Sequence, residues 1–142
     1  MLLRRVHAIA AVLFVVSIVV QVFLAGLAIA NLGGSGDFAS HIEFGYTAVG
    51  LSVAALLITA IIARRPRRDV ATALGLLVLY VVQTALPGLK SAATWIAALH
   101  PVNAMLLFGL ASWYAWRTWR VAFGTDGTEA EAAPQTAPST AR

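Results

Sequence analysis

The run VHAIAAVLFVVSIVVQVFLAGLAIA, from Val6 to Ala30, contains no Asp, Glu, Lys or Arg and decides the fold class. A helix needs roughly 20 apolar residues to cross about 30 Å of hydrocarbon. Backbone groups in lipid must be satisfied internally, so such a run is a helix. Three further stretches share its character: His41 to Ala63, Val70 to Leu89 and Trp95 to Trp116. The expected fold is all-α, a bundle of four transmembrane helices in residues 1–123. The whole chain agrees, since 60% hydrophobic residues, 11% charged residues and a mean hydropathy of +0.83 over 142 residues are too apolar for a soluble domain.

The beginning of the chain, with Arg4 and Arg5 before an apolar run that ends Ala28, Ile29, Ala30, has the outline of a cleavable signal peptide. The run is too long for an ordinary signal core and includes Gln21, so it is expected to be retained. Basic residues set the orientation. Arg4 and Arg5 precede the first span, Arg64, Arg65, Arg67 and Arg68 fill the connection after the second, and Arg117 and Arg120 close the fourth. The other two connections hold only Asp37 and Lys90 among charged residues. The positive-inside rule makes the arginine side cytoplasmic, with both termini there. Trp113, Tyr114, Trp116 and Trp119 gather at that end of the fourth span and Trp95 marks the outer end, as expected for rings at headgroup level. From residue 124 to 142 the composition turns to Gly, Thr, Glu, Ala, Pro and Ser, which predicts a disordered cytoplasmic tail. The glycine-rich connection at 31–39 joins two membrane helices and has no phosphate-loop context.

The two halves of the chain resemble each other. Gln21 to Leu27 reads QVFLAGL and Gln83 to Leu89 reads QTALPGL; both fit Q-x-x-L-x-G-L. His41 is followed at the same interval by Gly50 and Leu51 as His100 is by Gly109 and Leu110, and the fourth residue after each histidine is small, Gly45 and Ala104. Polar residues inside spans are rare, so a Gln and a His matched in order suggest two tandem two-helix repeats, about 4–63 and 68–121. Because each half starts and ends on the same side, the repeats are expected to be parallel, related by an axis along the membrane normal.

Helical rise puts His41 about 34 Å from Arg64 and His100 about 30 Å from Arg120, at comparable depth near the outer hydrocarbon edge. With spans two and four diagonally opposite, the two imidazoles are expected to face one another. Ser40 and Glu43 match a capping box, and Pro101 suits a helix start, so each histidine is expected in a first turn, neutral and available as a ligand. Gly45 and Ala104 lie one turn deeper and would leave room for a flat macrocycle. Two neutral histidines without thiolate or carboxylate partners suit a low-spin haem b better than zinc, which wants four protein ligands. His41 and His100 are thus candidate ligands to haem iron, with Tyr46 a weaker candidate donor to a propionate. Gln21 and Gln83 are expected to hydrogen-bond across the bundle, Glu43 to serve as a cap partner, and Asn103 to make an interhelical bond. His7 matches Asp69 in the other half, has no histidine partner and is expected to face the interface.

The early QVFLAGL, the H-x-x-x-G that opens the second span, the Gln of the third and the LHPVNA of Leu99 to Ala104 together resemble a family of small four-span bacterial membrane proteins of unknown function. The resemblance covers about residues 4 to 120. More distantly, a four-helix unit with facing histidines is similar to one half of haem A synthase or to membrane b-type cytochromes. That likeness implies a ligand set, with a redox or membrane-complex partner, in the bacterial cytoplasmic membrane. The competing reading is a cofactor-free scaffold or accessory subunit. A transporter or channel component is disfavoured because the inner halves of the spans offer few polar residues to line a path. No nucleophile, base and orienting group assemble into an enzyme site. The absence of cysteine excludes disulfides, thiolate chemistry and iron-sulfur clusters. The arginines cap apolar runs rather than forming a stripe, so nucleic acid is not an expected partner; the lipid bilayer is.

Overall fold

A computed structural model describes residues 1–30 and 36–124; the expected tail and most of the first outer connection lie outside the described residues. Among the described residues every regular element is helical. The first span is one helix, α1 (Leu2–Ala30). The second is α2 (Ala39–Phe44), a π-helical turn (Gly45–Val49) and α3 (Gly50–Ile62). The third is α4 (Arg67–Ala85), which tightens to a 3-10 turn over Leu86–Ser91. The fourth joins α5 (Thr94–Ala97) to α6 (Leu99–Phe123). All four spans are long and apolar enough to cross a membrane.

The spans pack in a ring. The first touches the second and fourth, and the third touches the same two, so α3 and α6 lie across the bundle from each other. Ala8, Ala11, Phe14 and Ile18 of α1 face inward at helical spacing, as do Val53, Leu56 and Ala60 of α3 and Leu107, Ala111 and Tyr114 of α6. Much of this seam is alanine, which lets backbones approach closely where dispersion rather than hydrophobic burial drives association. Ser17 and Ser52 meet across it with hydroxyls 3.0 Å apart, each also close to a carbonyl of its own helix. The outward faces carry Leu13, Val16, Phe23, Leu51, Ile58, Val78 and Met105, all exposed, and only 17–22% of each hydrophobic window is buried in the protein. That surface suits lipid rather than water.

The arginine connection is a tight reversal. The Arg65 amide donates to the Ala60 carbonyl and the Arg64 amide to the Ile61 carbonyl, each at 3.0 Å, which closes α3 as a Schellman motif. Arg64 takes the left-handed position of that motif, at φ 48°, where glycine is the usual residue. Pro66 then ends the turn and precedes α4. At the end opposite the arginines the Ser40–Glu43 capping box is not formed. The helix starts two residues before the position that box requires, at Ala39, with Phe38 at the N-cap and no side-chain cap; the Ala39 amide donates to Asp37 Oδ1 at 2.8 Å, and Glu43 is exposed.

Candidate functional site: two histidine clamps at the end opposite the arginines

His41 and His100, from spans on opposite sides of the ring, meet with ring centroids 6.3 Å apart and planes at 68°. Each ring is fixed by the same two contacts. The His41 Nδ1–H donates to the Gln21 carbonyl at 3.0 Å, and the Gln21 amide nitrogen donates to His41 Nε2 at 3.2 Å. The His100 Nδ1–H donates to the Gln83 carbonyl at 2.9 Å, and the Gln83 amide nitrogen donates to His100 Nε2 at 3.1 Å. Carbonyls only accept, so both rings carry their proton on Nδ1 and present a lone pair at Nε2. The glutamines therefore bond to the next span in sequence rather than across the bundle. A histidine at the start of each following span sits within reach and offers its Nε2 as an acceptor.

The surroundings of the two clamps differ. Asn103, one turn beyond His100 and buried, donates to the Leu79 carbonyl at 3.0 Å and to Gln83 Oε1 at 2.8 Å; it makes the expected interhelical bond and completes the Gln83 amide. The corresponding residue after His41 is Phe44, and Gln21 Oε1 is buried without a partner among the described residues. The second Gln21 proton goes to the His41 carbonyl at 2.8 Å. Gly45 does not leave open space. A methyl group there would lie 2.7 Å from Gln21 Nε2, so the glycine lets the glutamine amide approach the second span, and the expected room is filled. Ala104 is half-buried and Tyr46 exposed. The Gly45 carbonyl accepts from Tyr80 at 3.1 Å, and Gly50, one turn on, makes room for the same hydroxyl. Between these glycines runs the π-helical turn, a feature that recurs at functional sites because it re-aims side chains on a helix.

A second polar network, at the arginine end, corrects the reading of His7. The ring does not face the interface but is fully buried, 3.0 Å from Thr59 Oγ1 and 2.9 Å from the Tyr114 hydroxyl. Tyr114 also reaches the backbone carbonyl of Asp69 at 3.2 Å, and Thr59 that of Leu56 at 3.0 Å. A neutral ring has one donor and one acceptor, so one of the two hydroxyls must turn from its carbonyl toward His7. Asp69 is 1% exposed and ion-paired with Arg65 at 2.8 Å and with Arg117. The available signal was a polar residue inside an apolar run and a lone acid in an arginine-rich connection.

Among the described residues no group of three or more His, Asp or Glu could hold a metal ion. The His41 and His100 pair offers two nitrogen ligands at most, so a metal held there would need a cofactor to supply the remaining ones. A metal-bound imidazole nitrogen lies about 2 Å from the ion and about 1 Å from its ring centre, so rings on opposite sides of one ion have centroids about 6 Å apart. The observed spacing is of that size, each Nε2 is taken by its own glutamine amide, and Nδ1–H bonds to carbonyls are the usual support of a ligating histidine. The glutamine amides now on Nε2 end flexible side chains, and one of them is incompletely bonded.

Fold and site together define a helical bundle suited to a bilayer, with paired imidazoles at one end. A model of the family of unknown function DUF6220 matches residues 21–93, just over half of the chain, and the chain belongs to that family. The match spans both glutamines and His41. No curated protein and no solved structure matches the chain.

Proposed function

We propose that this chain is a multi-pass protein of the bacterial cytoplasmic membrane, with both termini cytoplasmic, that holds one b-type haem between His41 and His100 near the outer face. The observation that carries the reading is the 6.3 Å ring spacing between two histidines whose Nε2 lone pairs are set by carbonyl acceptors at Nδ1. The orientation rests on the arginines, which cluster at the opposite end of the spans. Two tandem hairpins account for the same glutamine-histidine contacts in both halves. His41 and His100 would hold the haem, which would supply a one-electron couple tuned by these two residues and by burial. The protein's part is to orient both rings through the Gln21 and Gln83 carbonyls and to withdraw the two amides from Nε2.

The competing reading, a cofactor-free scaffold or accessory subunit, draws support from those amides, which satisfy Nε2 without any ligand. Purification from a haem-replete host separates the two. The haem reading expects a Soret band with split α and β features on reduction, lost in His41→Ala and in His100→Ala. Colourless protein that also takes up no added haem leaves the scaffold reading.

A further inference from the structure

The arginine end of the bundle carries a half-open cavity of about 230 Å³ that the histidine site does not involve. Arg4, Arg64, Arg65, Arg68 and Arg117 line it, and Asp69 is the one acid in its wall. The Asp69 oxygens are already engaged. Oδ2 accepts from Arg65 Nε at 3.0 Å and Nη2 at 2.8 Å, while Oδ1 is paired with Arg117 and lies 3.7 Å from Arg68. Five guanidiniums against one carboxylate leave a local excess of four positive charges around an open volume. The buried Nε–H of Arg117 has no acceptor among the described residues.

Backbone features point the same way. Arg64 holds a left-handed conformation that glycine would adopt without strain, so a charged side chain stands at the cavity's rim against local preference. The 19-residue helix α4 begins beside the cavity and Pro66 gives it no side-chain cap, so the positive end of its dipole adds to the guanidiniums. Guanidinium forks match phosphate oxygens bidentately.

We propose that this cavity is a binding site for a phosphate group. Its level at the end of the spans makes an anionic phospholipid headgroup the first source to test, and free phosphate is the second. Asp69 is a positioning residue, fixing Arg65 and Arg117 so that Arg4, Arg64 and Arg68 remain to meet the ligand.

The test uses the full chain in nanodiscs of neutral phosphatidylcholine, titrated with phosphatidylglycerol in one arm and with inorganic phosphate in the other, and followed by native mass spectrometry and thermal unfolding. Arg64→Gly combined with Arg68→Gln spares the Arg65 and Arg117 pairs of Asp69, gives up only the 3.7 Å approach of the exposed Arg68 and relieves the strained backbone, so the fold is kept. Arg5→Gln combined with Arg67→Gln removes the same charge from exposed positions outside the cavity wall. The expected result is preferential retention of phosphatidylglycerol that falls about tenfold or more in the first pair and less than twofold in the second. Stabilisation by inorganic phosphate alone, with the same dependence on variants, keeps the site and assigns the soluble source. Equal loss in both pairs, or no preference over phosphatidylcholine, overturns the proposal by reducing the cluster to diffuse surface charge.

Discussion

The two histidine clamps share a glutamine, a histidine and two hydrogen bonds, and differ in the third residue after the histidine. In the second hairpin Asn103 closes the network, so every polar atom of the Gln83 amide has a partner. In the first hairpin Phe44 stands at that position, and Gln21 Oε1 is left buried and unpaired. A satisfied buried network is rigid, whereas a partly satisfied one costs free energy and is the easier to rearrange. The first clamp, next to the π-helical turn and the cradle at Gly45, is therefore the less constrained of the two, and would be the first to give way to the proposed ligand. A like asymmetry holds at the arginine end, where the first hairpin contributes a neutral His7 and the second a charged Asp69, joined through Tyr114.

Substitutions at these paired positions break or sharpen the comparison. The largest effect is expected for Asp69→Ala, which strands two partly buried guanidiniums and should cost about 3–5 kcal/mol, read as a large fall in unfolding temperature in detergent. His7→Leu should cost only about 1 kcal/mol, because Tyr114 and Thr59 each keep a carbonyl acceptor when the ring is gone. Between these lies Asn103→Leu, which leaves Gln83 Oε1 as exposed to rearrangement as Gln21 Oε1 already is. A cost of about 1–2 kcal/mol is expected from denaturant titration, with faster hydrogen exchange at the second clamp. The smallest change in stability is expected for Gly45→Ala. There a gain of about 1 kcal/mol in helix propensity offsets displacement of the Gln21 amide. Its signature is local instead: the His41 ring resonances should move while those of His100 stay.

The spans were legible because length and hydropathy suffice to define a membrane helix. The observed helices run past the apolar runs, to Leu2 in the first span and Phe123 in the fourth, because helical hydrogen bonding continues into the arginine and tryptophan belts. The histidine pair was legible from matched polar residues and helical rise. His7 was not, because the partner that buries it, Tyr114, lies 107 residues away and no local pattern announces it. The capping box misled because the helix begins before Ser40, at Ala39, whose amide is taken up by Asp37 instead. Gly45 was recognised as a place where the helix is thin, but what fills that space depends on the reach of Gln21 from another helix.

The most direct test of two imidazoles converging from separate hairpins is ligand rescue. His41→Gly and His100→Gly chains, each reconstituted with haem, are titrated with free imidazole while the absorption spectrum is recorded. The account expects both variants to lose the six-coordinate low-spin spectrum of the unsubstituted chain and both to regain it with imidazole. A spectrum indifferent to either substitution, or restored by imidazole in neither, would contradict it.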